Sequence, residues 1–342
     1  MAKKKNASDV EAVYDIDKFL SELEDEFGEG VVVAGENILS KRPMIISFSP
    51  AIDLALGGGI PTSSWVTISG APKVGKSTSA IHFAVKAQRP EYGNRHVFYL
   101  NVEGRLKAMN LEGVPGIDLS RFHVIQSTKN KLLDAKQFLN IGVRILKNNP
   151  GCILIIDSLS AMAHEKELVE GVGAFTRGST QVLINQFCRE VSQIIPHNDS
   201  IIISMTHIMA NVTGYGSPTM EKSGFGAQYQ ADVKLRCKGK PEPWKISTTG
   251  KQIGQIVSWV ADFTALGAPP GTEFESYVRY GIGIDECMEL IVLGMDFGII
   301  EGSTWLSFNE QKFQGKENLR EYLINNTEAQ KDLYSKIKEI IS

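Results

Sequence analysis

Apolar residues are arranged along the chain in four short, nearly continuous runs separated by stretches with helical spacing. The runs occupy residues 65–69, 97–102, 152–156 and 201–205, and the helical stretches lie near 77–88, 131–147 and 178–195. Continuous apolar runs are typical of strands that are covered by helices on both faces. This alternation predicts an α/β fold with a mostly parallel sheet and right-handed crossovers.

The last third of the chain follows a different pattern. Four β-like runs, at 231–237, 243–248, 253–263 and 274–280, have no long helix between them, which predicts an antiparallel extension of the sheet. After residue 281 the pattern becomes helix, short strand and helix, at 285–296, 302–307 and 316–341. We expect three regions: an N-terminal tail and helix over 1–45, a large α/β core over 46–280, and a small α/β C-terminal lobe over 281–342.

A short amphipathic helix is predicted near the N-terminus, after a polar tail at 1–10. Between positions 14 and 27 apolar residues recur at helical spacing, at Ile16, Phe19, Leu20, Leu23 and Phe27. A helix with a single apolar stripe needs a surface to pack on. The pattern leaves two interpretations open, packing on the protein's own core and docking on a neighbouring subunit.

Composition narrows the class of protein. The chain has 342 residues, of which 42% are hydrophobic and 22% charged, so a large core is expected and wholesale disorder is excluded. A net charge of −3 argues against a polycation that coats nucleic acid, so nucleic-acid binding would be local. The four cysteines are far apart, and neither a secretory signal nor a long apolar run is present. We expect a soluble cytoplasmic protein without a membrane partner.

The strongest motif lies directly after the first apolar run. Residues 70–77 match G-x-x-x-x-G-K-[ST] at every fixed position and open a helical segment. This strand–loop–helix context is typical of a P-loop, whose backbone N–H groups surround phosphates. Lys76 is expected to reach the β- and γ-phosphates of ATP, and Ser77 to coordinate Mg²⁺. The predicted nucleotide-binding residues are Gly70, Ala71, Pro72, Lys73, Val74, Gly75, Lys76, Ser77 and Thr78.

Three further candidates follow other apolar runs. Asp157 ends the run at 152–156, where P-loop proteins place a carboxylate that holds Mg²⁺. Glu103 follows the run at 97–102 and is a candidate base for the attacking water, although position alone fits an ordinary solvated glutamate equally well. His207 follows the run at 201–205 and would lie near the γ-phosphate, with a histidine bonded to a loop carbonyl as the alternative.

Two glycine-rich segments follow strands at the same predicted edge. They span 170–178 and 210–226, and each contains aromatic and basic residues. Loops of this composition suit single-stranded nucleic acid, because bases stack on aromatic rings and cations contact phosphates. A lid over the nucleotide is the alternative interpretation.

Taken in order, these residues resemble the RecA family of homologous recombinases, over about 14–341. The similarity includes the approach to the P-loop at 46–61, the segments 99–103 and 155–161, and both glycine-rich segments. It continues at 280–284, 289–301 and 305–308, which resemble the junction to the bacterial family's C-terminal domain and that domain itself. The P-loop is generic, whereas the C-terminal lobe together with both loops is specific to this family.

The resemblance implies an ATP- and Mg²⁺-dependent filament on single-stranded DNA that pairs it with homologous double-stranded DNA. By matched position, Glu103 activates water, Asp157 is the Walker B acid, and His207 stands where bacterial members have a glutamine that links the γ-phosphate to the second DNA loop. The N-terminal helix corresponds to the element that docks on the neighbouring protomer. The resemblance and the loop composition assign DNA contact to Phe175, Arg177, Gly178, Arg189, Val212, Gly214, Tyr215, Lys222, Gly224, Phe225 and Gly226.

The chain also departs from the family pattern. No lysine occurs in 260–269, where bacterial members carry two lysines that reach the neighbour's ATP. The positions of the adenine contacts hold Lys107 and Asn110, and the second loop ends in Gly-Phe-Gly at 224–226. These departures indicate a divergent member, for which a phage origin is one hypothesis.

The predicted function is ATP-dependent strand pairing and exchange by a RecA-type P-loop ATPase. Two rival hypotheses remain at this stage. One is a nucleotide-gated DNA-binding mediator without strand exchange, and the other is a hexameric P-loop DNA motor. DNA-dependent ATP turnover separates the first rival from a recombinase, and closed rings would identify the second.

Overall fold

The computed structural model describes residues 15–40, 42–170, 179–210, 219–221, 227, 230–246 and 249–341. Several predicted DNA-contact residues lie outside these ranges. The chain divides into two compact units, residues 1–43 and 44–342. The division into three regions expected from the sequence stays a prediction. Among the described helices, none has the length and apolar character needed to cross a membrane.

Among its described residues, the first unit contains two helices, α1 (Ile16–Phe27) and α2 (Gly35–Ser40). The carboxylate of Asp15 caps α1 by accepting a hydrogen bond from Lys18 N at 3.2 Å. Gly28, with φ of 111°, ends the helix. No residue of α1 is buried, and Ile16 and Phe27 expose 52% and 62% of their surface. The two ends of the predicted apolar stripe, Ile16 and Phe27, are therefore accessible, whereas Leu20 and Leu23 are half-buried.

The second unit is built on a large sheet with the strand order β13-β12-β11-β9-β3-β7-β6-β4-β5. The strands from β9 to β5 are parallel, and β11 to β13 form the antiparallel extension, with β10 added on β11 and β8 on β7. The strands of this sheet are β3 (Ser64–Gly70), β4 (Val97–Asn101), β5 (Phe122–Ile125), β6 (Ile153–Asp157), β7 (Ile201–Ala210), β8 (Thr219–Glu221), β9 (Val233–Cys237), β10 (Glu242–Lys245), β11 (Gln252–Phe263), β12 (Thr272–Arg279) and β13 (Gly283–Ile284). A small separate pair joins β1 (Ile45–Ile46) to β2 (Ile60–Pro61).

Helices cover both faces of the parallel strands, which explains their continuous apolar sequence. In β6, Ile153 and Ile155 belong to one core cluster, whereas Leu154 and Ile156 belong to the other. The helices described before the C-terminal lobe include α3 (Pro50–Leu56), α4 (Lys76–Ala87), α5 (Ala135–Asn148), α6 (Glu165–Val169) and α7 (Ser179–Val191). Helix α4 contributes to the first cluster, and α5 and α7 contribute to the second. The predicted fold class, with its mostly parallel sheet, is confirmed.

The C-terminal lobe has its own core. It contains α8 (Glu286–Asp296), the hairpin of β14 (Trp305–Phe308) and β15 (Gln311–Gln314), α9 (Gly315–Asn325) and α10 (Thr327–Ile341). The single helix expected over 316–341 is wrong, because Asn326 interrupts it. The Asn326 side chain accepts from Ala329 N at 3.1 Å and thereby caps the start of α10.

Candidate active site

The P-loop begins where β3 ends and continues into α4. Gly75 has φ of 95°, a left-handed conformation that favours glycine. A Cβ on Gly70 would lie 2.8 Å from Cys237 Cβ on the adjacent strand, so only glycine fits there without rearrangement. These two positions give a physical reason for both fixed glycines of the motif.

Lys76 lies at the bottom of the loop with its ammonium group turned into the site. Its Nζ donates to the carbonyl oxygens of Gly70 and Ala71, at 2.9 and 2.8 Å. Nζ also lies 3.4 Å from His207 Nδ1. Burial lowers the pKa of Lys76, while the negative groups around it, including Asp157 and Glu103, oppose that shift. An anionic phosphate in the loop would supply further compensating charge.

Asp157, at the carboxyl end of β6, lies beside the first turn of α4. Its Oδ2 accepts a hydrogen bond from Ser77 Oγ at 2.7 Å and another from the Tyr99 hydroxyl. Burial, followed by the charge of Asp157, raises the pKa of Tyr99 well above its usual value, so its hydroxyl stays protonated. A hydroxyl and a carboxylate are the hard oxygen donors that Mg²⁺ prefers, and Mg²⁺ usually completes its shell with phosphates and water. Ser77 and Asp157 therefore fit a nucleotide-bound Mg²⁺.

Glu103 lies next to Asp157, because β4 and β6 are neighbouring parallel strands. Its backbone N–H donates to Asp157 O at 3.1 Å. Glu103 Oε1 lies 2.7 Å from His207 Nε2 and accepts from Ser158 Oγ at 3.0 Å, and Oε2 lies 3.4 Å from Arg105 Nη1.

Two opposing effects set the pKa of Glu103. Burial raises it, but the hydrogen bonds from His207 and Ser158, with the charges of His207 and Arg105, bring it below its ordinary value. The carboxylate is therefore ionised at neutral pH.

These groups line one cavity of about 410 Å³ at the carboxyl edge of the sheet. Of the predicted nucleotide-binding residues, Pro72, Lys73, Gly75, Lys76, Ser77 and Thr78 line it, together with Glu103, Asp157 and His207. Gly70 and Ala71 contribute the carbonyls that hold Lys76, and Val74 is buried in the core.

The cavity also contains residues that the sequence analysis did not assign to it. They are Ile81, Tyr99, Arg105, Leu106, Gln255, Val278, Arg279, Tyr280 and Gly281, and Asn110, noted earlier as a departure, lies with them. Tyr280 directly follows β12, and an aromatic residue at the end of a β-like run was the signal for it in the sequence. In the structure its side chain is 57% exposed. Tyr99 carried no such signal, since it lies within a buried apolar run.

A larger cavity, of about 510 Å³, lies at the opposite edge of the sheet. Its lining includes His96 and Cys152, which immediately precede strands β4 and β6, and Asp199, which lies two residues before β7. Arg95 in this cavity donates to the carbonyls of Tyr92, Gly151 and Asp199, and so joins three loops. Ligands of parallel α/β sheets bind outside the carboxyl ends of the strands. This rule makes the smaller cavity, which contains the P-loop residues, the candidate nucleotide cavity.

The predicted DNA-contact residues divide into two groups. Arg189 is exposed in the last turn of α7 and is not part of the nucleotide cavity. The others lie outside the described residues: Phe175, Arg177, Gly178, Val212, Gly214, Tyr215, Lys222, Gly224, Phe225 and Gly226. The second glycine-rich segment follows β7, the strand that carries His207.

Comparison with known proteins agrees with this architecture. A RecA N-terminal domain model matches residues 14–285, and a RecA C-terminal domain model matches 288–342. Protein RecA of Wigglesworthia glossinidia brevipalpis is 27% identical over 336 residues, covering 95% of this chain and 96% of that protein. Protein RecA of Brucella anthropi is 26% identical over 334 residues, covering 95% and 88% respectively. The match of both domain models, together with the P-loop site, shows that this chain belongs to the RecA family.

Proposed function

We propose that the protein is an ATP-dependent recombinase that polymerises on single-stranded DNA and catalyses homologous pairing and strand exchange. The observation that carries this proposal is the continuous set of contacts from Lys76 through His207 to Glu103. It connects a phosphate-binding lysine, a candidate sensor and a candidate base within one cavity. Membership of the RecA family supports the DNA substrates.

ATP would bind with its phosphates in the P-loop. The backbone N–H groups at the start of α4 and the ammonium group of Lys76 would neutralise phosphate charge. Ser77 and Asp157 would hold Mg²⁺, which would neutralise phosphate charge when bound. Tyr280 offers an accessible ring at the rim of the cavity, where an adenine could stack.

Glu103 would orient the attacking water and accept its proton. Its Oε1 is held by His207 and Ser158, so the resting carboxylate is engaged rather than free. A γ-phosphate placed near Lys76 would compete for His207, because the two side chains are already 3.4 Å apart. Release of His207 would raise the basicity of Glu103 and signal that ATP is present.

Two further features support the filament and its DNA. Helix α1 has no buried residue and exposes Ile16 and Phe27, as expected for a helix that docks on a neighbouring protomer. The glycine-rich segments at 170–178 and 210–226 have the composition of single-strand-binding loops. Strand β7 connects the second of them to His207, which would transmit the state of the nucleotide.

The proposal is tested by ATP turnover and strand exchange with and without single-stranded DNA. We expect DNA to stimulate turnover in the wild-type protein and Lys76→Ala to abolish turnover while the protein remains folded. Tyr215→Ala should weaken binding to single-stranded DNA by about 1–3 kcal/mol and leave ATP binding unchanged. Turnover without any strand exchange would favour the mediator, and closed rings in electron micrographs would favour the motor.

A further inference from the structure

Tyr99 is a buried tyrosine whose hydroxyl reaches the nucleotide cavity. The residue is 1% exposed, and its ring packs in the first core cluster, 6.0 Å from the ring of Phe122. The side chain nevertheless lines the cavity, as does Asp157, the residue that its hydroxyl contacts. The hydroxyl donates a hydrogen bond to Asp157 Oδ2.

Two donors from different elements therefore converge on one carboxylate oxygen. Ser77 Oγ belongs to the first turn of α4, and the Tyr99 hydroxyl belongs to strand β4. Together they restrain the rotation of the Asp157 carboxylate. The two donors differ in one respect. The Ser77 oxygen would also coordinate the metal, whereas the Tyr99 hydroxyl would only hold Asp157.

We propose that Tyr99 is a positioning residue that holds Asp157 in the orientation required for Mg²⁺ binding. This inference rests on the proposed ATPase function of the same site. A rigid strand supplies the contact, so the carboxylate is oriented before nucleotide and metal arrive. Groups that hydrogen-bond to metal ligands commonly change metal affinity by about 10–100-fold when they are removed.

The test compares Tyr99→Phe with Tyr322→Phe. Both substitutions remove one phenol hydroxyl, but the Tyr322 hydroxyl accepts from Asn326 in the C-terminal lobe, far from the site along the fold. Affinity for ADP is measured first in EDTA and then across a MgCl₂ titration. We expect Tyr99→Phe to bind ADP like the wild type in EDTA and to need about tenfold more Mg²⁺ for the metal-dependent gain. Tyr322→Phe should match the wild type in both conditions.

The outcomes separate the inference from the function on which it rests. If the wild type shows Mg²⁺-dependent ADP binding and Tyr99→Phe has the same Mg²⁺ midpoint, Tyr99 has no positioning role. An equal loss of ADP affinity in EDTA and in Mg²⁺ would mean that the tyrosine only supports the fold. If the wild type shows no Mg²⁺-dependent binding, the proposed ATPase function fails and the inference fails with it.

A double-mutant cycle gives an independent test that needs no activity. If Tyr99 acts through Asp157, Tyr99→Phe should shift the Mg²⁺ midpoint in the wild type and have no further effect in Asp157→Asn. Additive shifts would overturn the assignment. The ring of Phe fills the same core space, and melting curves of all four proteins verify that each is folded.

Discussion

The Glu103 carboxylate contacts three polar side chains. A single substitution can remove its ability to accept a proton and keep the size of the side chain. Glu103→Gln retains the size of the side chain and its ability to accept from Ser158, but an amide cannot take a proton from water. We expect ATP turnover to fall by at least about 100-fold, while ADP affinity and filament assembly remain within about threefold of the wild type. The measurements are phosphate release, ADP titration and electron microscopy.

Glu91→Gln is the matched control for this change. Glu91 is exposed and lies 3.9 Å from Arg89, remote from the cavity, so its removal should leave turnover unchanged. A Glu103→Gln protein that loses nucleotide binding along with turnover would show that Glu103 is structural rather than catalytic.

The residues that could be predicted from the sequence are those fixed by local spacing. Lys76 and Ser77 follow from the P-loop itself, and Asp157 follows from a carboxylate at the end of a buried run. The contact of Tyr99 with Asp157 and the contact of His207 with Glu103 could not be predicted in this way. They connect residues in or just after β4 to residues of β6 and β7, which are far away in the sequence. Their meeting depends on strand order and register, which no local pattern specifies.

Helix α4 extends from the P-loop to the C-terminal lobe. Its last turns carry His82 and Lys86, which contact the two carboxylate oxygens of Glu286 at 3.0 and 2.9 Å. Burial raises the pKa of Glu286, but the hydrogen bond from His82 and the charge of Lys86 lower it to about 2. Its contribution to stability is therefore present above the unfolded pKa, near 4.5, and is lost as pH falls towards 2.

Glu286→Gln should lower the free energy of unfolding by roughly 2–3 kcal/mol at pH 7, because it leaves the buried ammonium of Lys86 without its charged partner. Denaturant unfolding followed by fluorescence measures the change. Glu328→Gln is the control, since Glu328 is 83% exposed and its pair with Lys331 should contribute little. Equal stabilities for the two variants would contradict a role for Glu286 in joining helix and lobe.

Long helices with a regular spacing of apolar residues could be predicted from the sequence, whereas the interruptions within them could not. The sequence pattern over 316–341 is helical throughout, and the break at Asn326 comes from a side-chain cap that a helical period does not reveal. Strand β5 is only four residues long and one of them, Val124, is 40% exposed, so it had no continuous apolar run. The edge of the sheet therefore had the weakest signal.

On the scale of the whole molecule, assembly is expected to depend on the N-terminal unit. Removing residues 14–27 takes away the apolar stripe of α1 and leaves the compact unit 44–342 intact. We expect a folded protein that binds ATP and forms no filaments on single-stranded DNA, as judged by melting curves, nucleotide titration and electron microscopy. Loss of the folded state in this truncation would show instead that the helix packs on its own core.

Glu289 connects the C-terminal lobe to the core through a buried hydrogen bond. It lies on α8, is 1% exposed, and its Oε2 accepts from Ala51 N of α3 at 3.0 Å. Burial raises the pKa of Glu289 to about 8 from an ordinary value of 4.5. Between these values the unfolded chain releases the proton while the folded protein retains it, so stability decreases as pH rises.

Glu289→Gln should remove this loss, because an amide accepts the same hydrogen bond from Ala51 and does not ionise. We expect the wild type to lose roughly 2–4 kcal/mol more stability than Glu289→Gln between pH 5 and pH 8. Denaturant unfolding at the two pH values measures the difference, and exposed Glu328→Gln should follow the wild type. Parallel pH profiles for the wild type and Glu289→Gln would show that this carboxyl group is already ionised in the folded protein at pH 5.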